Sequence, residues 1–212
     1  MAEHLVTGHA GVGHVTSADA GAFQAGVCGL EKYVLGTGTK LSYVLESNNL
    51  ITIYQGDMVN QGRHITVDEP VSLTIENGTQ NKKRIDTVVM RYSKDETTAI
   101  ESATLLIVRG EDVDLDQTAV PGDLISGDIF GGALADDMPL YYINISALSV
   151  TSVTKAFTQL GSLTDLNETK VDMTTPLLNF DDTATDPLTD DGALANALRD
   201  LGILNDVIEL RG

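Results

Sequence analysis

Between residues 40 and 146 the chain is a succession of short runs rich in Val, Ile, Leu, Thr and Tyr, each broken by Asn, Asp or Gly. That punctuation predicts antiparallel strands joined by turns. Residues 40–46 (KLSYVLE) and 50–54 (LITIY) flank Ser47-Asn48-Asn49, so a hairpin is expected there, with Asn supplying left-handed backbone at its tip. Gly56-Asp57 reads as the next turn, residues 58–67 (MVNQGRHITV) as one run in which Gly62 marks a bulge, and residues 71–75 as a strand closed by Asn77-Gly78. The most apolar runs are 85–92 (IDTVVMRY) and 103–108 (ATLLIV), joined by the polar loop SKDETTAIE, and both are predicted to be central in a sheet. In the first, Val88, Met90 and Tyr92 point one way and Ile85, Thr87 and Val89 the other, so both faces are covered. Arg84 and Asp86 share one side of that strand and are expected to pair. A last strand (PLYYINI) starts just after Pro139, where the missing N–H does least harm. The regular spacing of turns favours a sandwich or barrel.

The ends follow other patterns. Residues 16–27 (TSADAGAFQAGV) predict a short helix, capped by Ser17 and weakened by its glycines, behind an extended arm. After Ala156 the β-branched residues give way to Asn, Asp, Thr and Pro, the composition of a linker. Residues 191–209 (DGALANALRDLGILNDVIE) then read as a second helix. Its Leu194, Ala197, Leu201, Leu204 and Ile208 recur in steps of three and four and make one apolar stripe, the candidate oligomer or partner contact. The expected organisation is therefore an arm and short helix over 1–39, an antiparallel β-sandwich or barrel-like body over 40–148, a linker over 149–190 and an α-helix over 191–212. The fold class is mainly β.

Composition narrows the partners. At 212 residues, 42% hydrophobic and 21% charged, the chain has the make-up of a folded domain with a real core. Its formal charge of -18 repels phosphate backbones and anionic lipid headgroups, so neither nucleic acid nor membrane is an expected partner. Cys28 stands alone, which excludes an intrachain disulfide and a thiolate-built zinc site. The opening MAEHLVTGHAGVGH lacks a basic region followed by a sustained apolar run, so synthesis and folding in the cytosol are expected. The N-x-S/T triplets at Asn77, Asn144 and Asn167 are read as chance.

Candidate chemistry is sparse. Asp112, Asp114 and Asp116, with Asp123 following, imitate the alternating carboxylates of a calcium loop. Gln117 occupies the position where that loop needs Gly, and Asp123 replaces its bidentate Glu, so a solvated acidic loop is the better reading. His4, His9 and His14 recur every five residues, a spacing that shares no face of a helix or strand. There is no G-x-S-x-G elbow, and His64 reads as a strand histidine. Tyr33, Tyr43, Tyr54, Tyr92, Tyr141 and Tyr142 are the only tyrosines that could form a sugar platform, and there is no Trp. No catalytic residue and no cofactor is assigned.

One resemblance draws these segments together. HVTSADAGAFQAGVCG, KYVL, IYQGDMVNQGRHITV, LTIENGTQNKKRIDTVVMRY, IESATLLIVRG and DMPLYYINIS occur in this order over residues 8–146. The region resembles the N-terminal tail-attachment domain of baseplate, tail-fibre and receptor-binding proteins of phages and prophages of Gram-positive bacteria. The resemblance implies a non-enzymatic adaptor or baseplate component of a virion tail, assembled in the host cytoplasm. It implies docking to other tail proteins and a cyclic homo-oligomer, a trimer being favoured. The two alternatives are a module that recognises a host surface glycan and a tail-associated cell-wall hydrolase.

Overall fold

The computed structural model describes residues 15–162 together with 164 and 165. The chain divides into Met1–Glu168 and Thr169–Gly212. The predicted helix over 191–212, with Leu194, Ala197, Leu201, Leu204 and Ile208, lies outside the described residues, as do residues 1–14 of the arm.

The described part is mainly β, with one helix near its start. Helix α1 (Ser17–Cys28) precedes β1 (Lys32–Val34), β2 (Tyr43–Ser47), β3 (Leu50–Ile53), β4 (Gly56–Asn60), β5 (Arg63–Val67) and β6 (Val71–Thr74). Next come β7 (Lys82–Lys94), β8 (Glu101–Val108), β9 (Val113–Asp114), β10 (Ala135–Ser146), β11 (Ser149–Lys155) and β12 (Thr158–Gln159). They form three sheets, ordered β12-β1-β4-β5, β2-β3-β6 and β11-β10-β7-β8, with β9 paired to β7 beside β8. All pairings are antiparallel except β1 with β12.

All three sheets face one core. Val34 and Met58 come from the first, Ile51 and Ile53 from the second, and Val88, Leu140 and Ile143 from the third; each of these is fully buried. Tyr43, Tyr141 and Phe157 meet edge to face, with centroids 4.7 and 5.6 Å apart. The Tyr141 hydroxyl donates to the Leu41 carbonyl at 2.8 Å, and burial raises its pKa to about 12. Sheets two and three are stitched where β2 meets β11: Tyr43 Oη donates to the Val153 carbonyl, and the Val150 N–H to Asn48 Oδ1.

Several expectations need correcting. The hairpin over 43–53 forms, but the left-handed residues of the described chain include neither Asn48 nor Asn49. Asn49 instead donates through its amide to the Ile75 carbonyl and Asn77 Oδ1, tying the tip to the chain beyond β6. Gly56-Asp57 is strand, and Gly62 is not a bulge. Gln61 and Gly62, with φ of 46° and 75°, form the two-residue turn between β4 and β5, where right-handed strand twist favours positive φ. Pro139 lies inside β10, at a register shift between Pro139 and Tyr141 that absorbs its missing donor. β7 is central as expected, whereas β8 is an edge. β11 occupies the first residues of the span assigned to the linker, 149–190, ahead of the change in composition after Ala156. Its Ser/Thr-rich alternation hid it, because an edge strand facing water needs few apolar residues.

Candidate docking site

The predicted Arg84–Asp86 pair is formed and wholly buried. Arg84 Nε lies 2.9 and 3.2 Å from the two Asp86 oxygens, and the guanidinium also donates to the carbonyls of Asn77 and Glu76. Asp86 Oδ1 accepts the Gly110 N–H at 2.9 Å, so the pair fastens the loop before β7 and the loop after β8. Asp112 belongs to the same knot. It faces Arg84 at 3.5 Å and accepts from Arg109 at 2.6 Å and Thr79 at 2.9 Å. Partial burial pushes its carboxyl up, and these partners more than offset this, leaving its pKa below the usual range. Asp114 takes the Lys82 ammonium at 2.6 Å, while Asp116 and Asp123 are exposed. The four aspartates of the calcium-like string therefore do not converge, and no metal-type cluster occurs among the described residues. The sequence alone did not reveal this, because Lys82 and Arg84 come from β7, although Arg109 stands only three residues before Asp112.

A second knot closes the far end of β7 and β10. Asp136 accepts from Lys32, Asn60 and the Gly127 N–H, and Asp137 from Arg91 and the Ile125 N–H. Burial acts to raise Asp137, but the Arg91 hydrogen bonds and the Ile125 N–H hold it below the ordinary carboxylate range. His64 Nε2 lies 2.9 Å from Asp57 Oδ1, and hydrogen bonds from Thr37 and Thr66 lower the Asp57 carboxyl.

Helix α1 is arranged differently. Thr16, not Ser17, is its N-cap. Thr16 Oγ1 accepts from the Asp19 N–H, and Asp19 accepts in return from the Thr16 N–H, a complete capping box. The inward face is Gly21 and Ala25, one turn apart, against the β4–β5 turn. A Cβ on Gly62 would lie 2.2 Å from the Gly21 carbonyl oxygen, and one on Gly21 would lie 2.1 Å from Arg63 Nη1. The glycines that weaken the helix in isolation are what let it seat. Arg63 donates to the Ser17 carbonyl at 3.2 Å and reaches Glu101 at 3.3 Å, which also accepts from Tyr92 at 2.8 Å. Burial would raise Glu101, yet Tyr92, Ser17 and Arg63 together depress it, so it holds the clamp as a carboxylate.

The outward face of α1 is apolar and bare. Phe23 is 75% exposed and Val27 66%, one turn apart, with Leu30 just beyond and Val15 before the helix also exposed. Asp19 is the only charged residue in the helix. Isolated exposed apolar residues are ordinary, whereas Phe23 and Val27 stand exposed together, one turn apart on a clamped helix.

A cleft of about 430 Å³ opens where the chain leaves β11 and crosses through Ala156 and Phe157 to pair as β12 with β1. Tyr33, Phe157, Met138 and Pro139 line it, with Glu31, Lys32 and Thr158. Lys32 is committed to Asp136 and the Asp137 carbonyl, whereas the Glu31 carboxylate and Tyr33 hydroxyl have no hydrogen-bond partner among the described residues. The Asp112 loop does not line this cleft. Among the described residues no helix is long and apolar enough to cross a membrane. No protein-family model matches the chain, and no curated protein matches it.

Proposed function

We propose that the protein is a structural component of a phage tail or tail-like particle, an adaptor or baseplate protein that docks other tail proteins by contact and performs no reaction. The outward face of α1 carries the reading: Phe23 and Val27 stand in water on a helix that a capping box and the Arg63–Glu101 clamp hold in place. A fixed apolar patch is preorganised for binding, so little ordering entropy opposes its contact. The charged groups of the two buried knots point inward to each other, which accounts for them as scaffold. A cyclic homo-oligomer located in the virion and assembled in the host cytoplasm follows from the same reading.

Immunogold labelling tests this. Antibody against the chain should mark one end of tail particles released from the host, and particles that carry no label anywhere would overturn the proposal. A second reading, recognition of a host surface glycan, is favoured by the Tyr33–Phe157 cleft, whose volume accommodates a sugar unit beside an uncommitted carboxylate and phenol. If that reading holds, neutral disaccharides should give a saturation-transfer NMR signal with the unmodified chain and none with Tyr33→Ala.

A further inference from the structure

The pairing of β1 with β4 sets Lys32 directly opposite Asn60. Residues so opposed project their side chains from one face, with Cβ atoms about 4.5–5.5 Å apart. Here it is the core face, since Val34 and Met58, two residues along each strand, are fully buried. Asp136 reaches the same point from β10. Its Oδ2 lies 2.8 Å from Lys32 Nζ and accepts from Asn60 Nδ2, also at 2.8 Å. An amine and a carboxamide, the two halves of an amide bond, thus meet at a single carboxylate oxygen.

A plain ion pair accounts for Lys32 and Asp136 but not for Asn60. Asn60 is fully buried, and its Oδ1 accepts no hydrogen bond among the described residues. A buried acceptor left bare is costly, so its presence calls for a use. The rest of the knot fixes the reacting groups in place. The Gly127 N–H holds Asp136 Oδ1 at 2.9 Å, and the Asp137 carbonyl takes Lys32 Nζ at 2.7 Å. Arg91, bound to both carboxylate oxygens of Asp137, steadies that residue in turn.

We infer that Lys32 and Asn60 join in an intramolecular isopeptide bond, with Asp136 as the proton carrier between them. The Lys32 ammonium passes a proton to Asp136, which leaves Nζ neutral and nucleophilic. A half-turn of the carboxamide then lets the protonated Asp136 donate to Oδ1, which satisfies the bare acceptor and polarises Cγ. Nζ attacks Cγ, the Nζ–Cγ bond forms and the Cγ–Nδ2 bond breaks. The two protons shed by Nζ pass by way of Asp136 to Nδ2, which departs as ammonium, and Asp136 ends as the carboxylate it began as. The balance needs no oxidant or co-reactant. The cleft that Lys32 lines gives the ammonium a way to water. The step occurs once per chain and turns over no outside molecule, so it is compatible with a protein that acts by contact, and it does not rest on the tail-particle reading. Its effect is mechanical: β1 has three residues and follows α1, and the bond ties it to β4 when load is applied through the helix.

The test weighs the full chain. Intact mass spectrometry of the purified, denatured protein should read one ammonia below the sequence mass. A tryptic digest should contain a branched peptide made of residues 1–40 and 41–63, joined through Lys32 and Asn60 and uncut after Lys32. Lys32→Arg keeps a cation beside Asp136 but cannot form this amide, so it should show its full sequence mass. Asp136→Asn should also stay unlinked, with unchanged circular dichroism separating a missing proton carrier from a missing fold. If that variant does not fold, the unmodified chain and Lys32→Arg decide the matter between them. An unmodified chain at full sequence mass would overturn the inference. So would an ammonia loss that Lys32→Arg retains, which places the loss at another amide such as Asn77 before Gly78, or a Lys32–Asn60 link that still forms in Asp136→Asn.

Discussion

The Arg84 knot and helix α1 use opposite chemistry in one folded body. In the knot, an Arg and an Asp that are each about 1% exposed are surrounded by partners, so their charge is spent on holding the Glu76–Asn77 and Gly110 loops against β7. On α1, polar groups do the fastening at the edge while the middle of the outer face offers Phe23 and Val27 to water. Charge density in the sequence therefore points to scaffold here, and the exposed apolar face lies where charge is missing.

The comparison breaks most sharply at Arg84. Arg84→Ala leaves Asp86 buried without its counter-ion and also removes donors from two carbonyls, so a loss of about 3–5 kcal/mol is expected in urea unfolding. Arg84→Met combined with Asp86→Leu should recover part of that loss, because no unpaired charge remains. Recovery stays incomplete, since the Gly110 N–H loses its acceptor.

Gly62→Ala attacks the seat of α1 instead. The residue has φ of 75°, and its new Cβ would stand 2.2 Å from the Gly21 carbonyl oxygen, so a cost of about 1–3 kcal/mol is expected. Hydrogen exchange should show it concentrated in the amides of α1. Gly21→Ala should cost less, because its close clash is with a side-chain end, Arg63 Nη1 at 2.1 Å, which can shift at the expense of its bonds to Ser17 and Glu101.

These two sites also show what the sequence made legible. The strands over 43–47, 50–53, 71–74 and 82–94 announce themselves because alternation and turn residues are local signals. The Arg84–Asp86 pair was visible for the same reason, being two positions apart on one strand. Centre and edge were not distinguishable between β7 and β8, since an apolar run does not say whether a neighbour covers its face or bonds its edge. Gly21 read only as a weak point in a helix, because its use depends on Gly62, far along the chain. The cleft was hidden likewise: Tyr33 and Phe157 come from opposite ends of the domain and meet only through the β1–β12 pairing.

Acid sharpens the contrast further. Asp137 and Asp112 both have pKa values lowered in the fold, so each contributes stability above its unfolded value, about 3.9, and loses it as pH falls through the lower folded value. The melting temperature should be level through neutral pH and begin to fall below about pH 4. Asp137→Asn should lower that plateau and make the acid limb shallower. An acid limb identical to that of the unmodified chain would mean that Asp137 does not titrate with unfolding.

The smallest effect on stability is expected where the proposed effect on assembly is largest. Phe23→Ser with Val27→Ser removes side chains already 75% and 66% exposed, so little burial is lost, and the unfolding free energy should move by no more than about 0.5 kcal/mol. The inward face, Gly21 and Ala25, and the capping box at Thr16 and Asp19 are untouched, so α1 keeps its seat. If the bare face is a docking surface, the variant chain should fold normally and yet be missing from tail particles purified from cells that express it. A variant that melts far below the unmodified chain would show instead that the two side chains are buried in the folded protein. One that folds normally and still enters particles would move the contact surface away from α1.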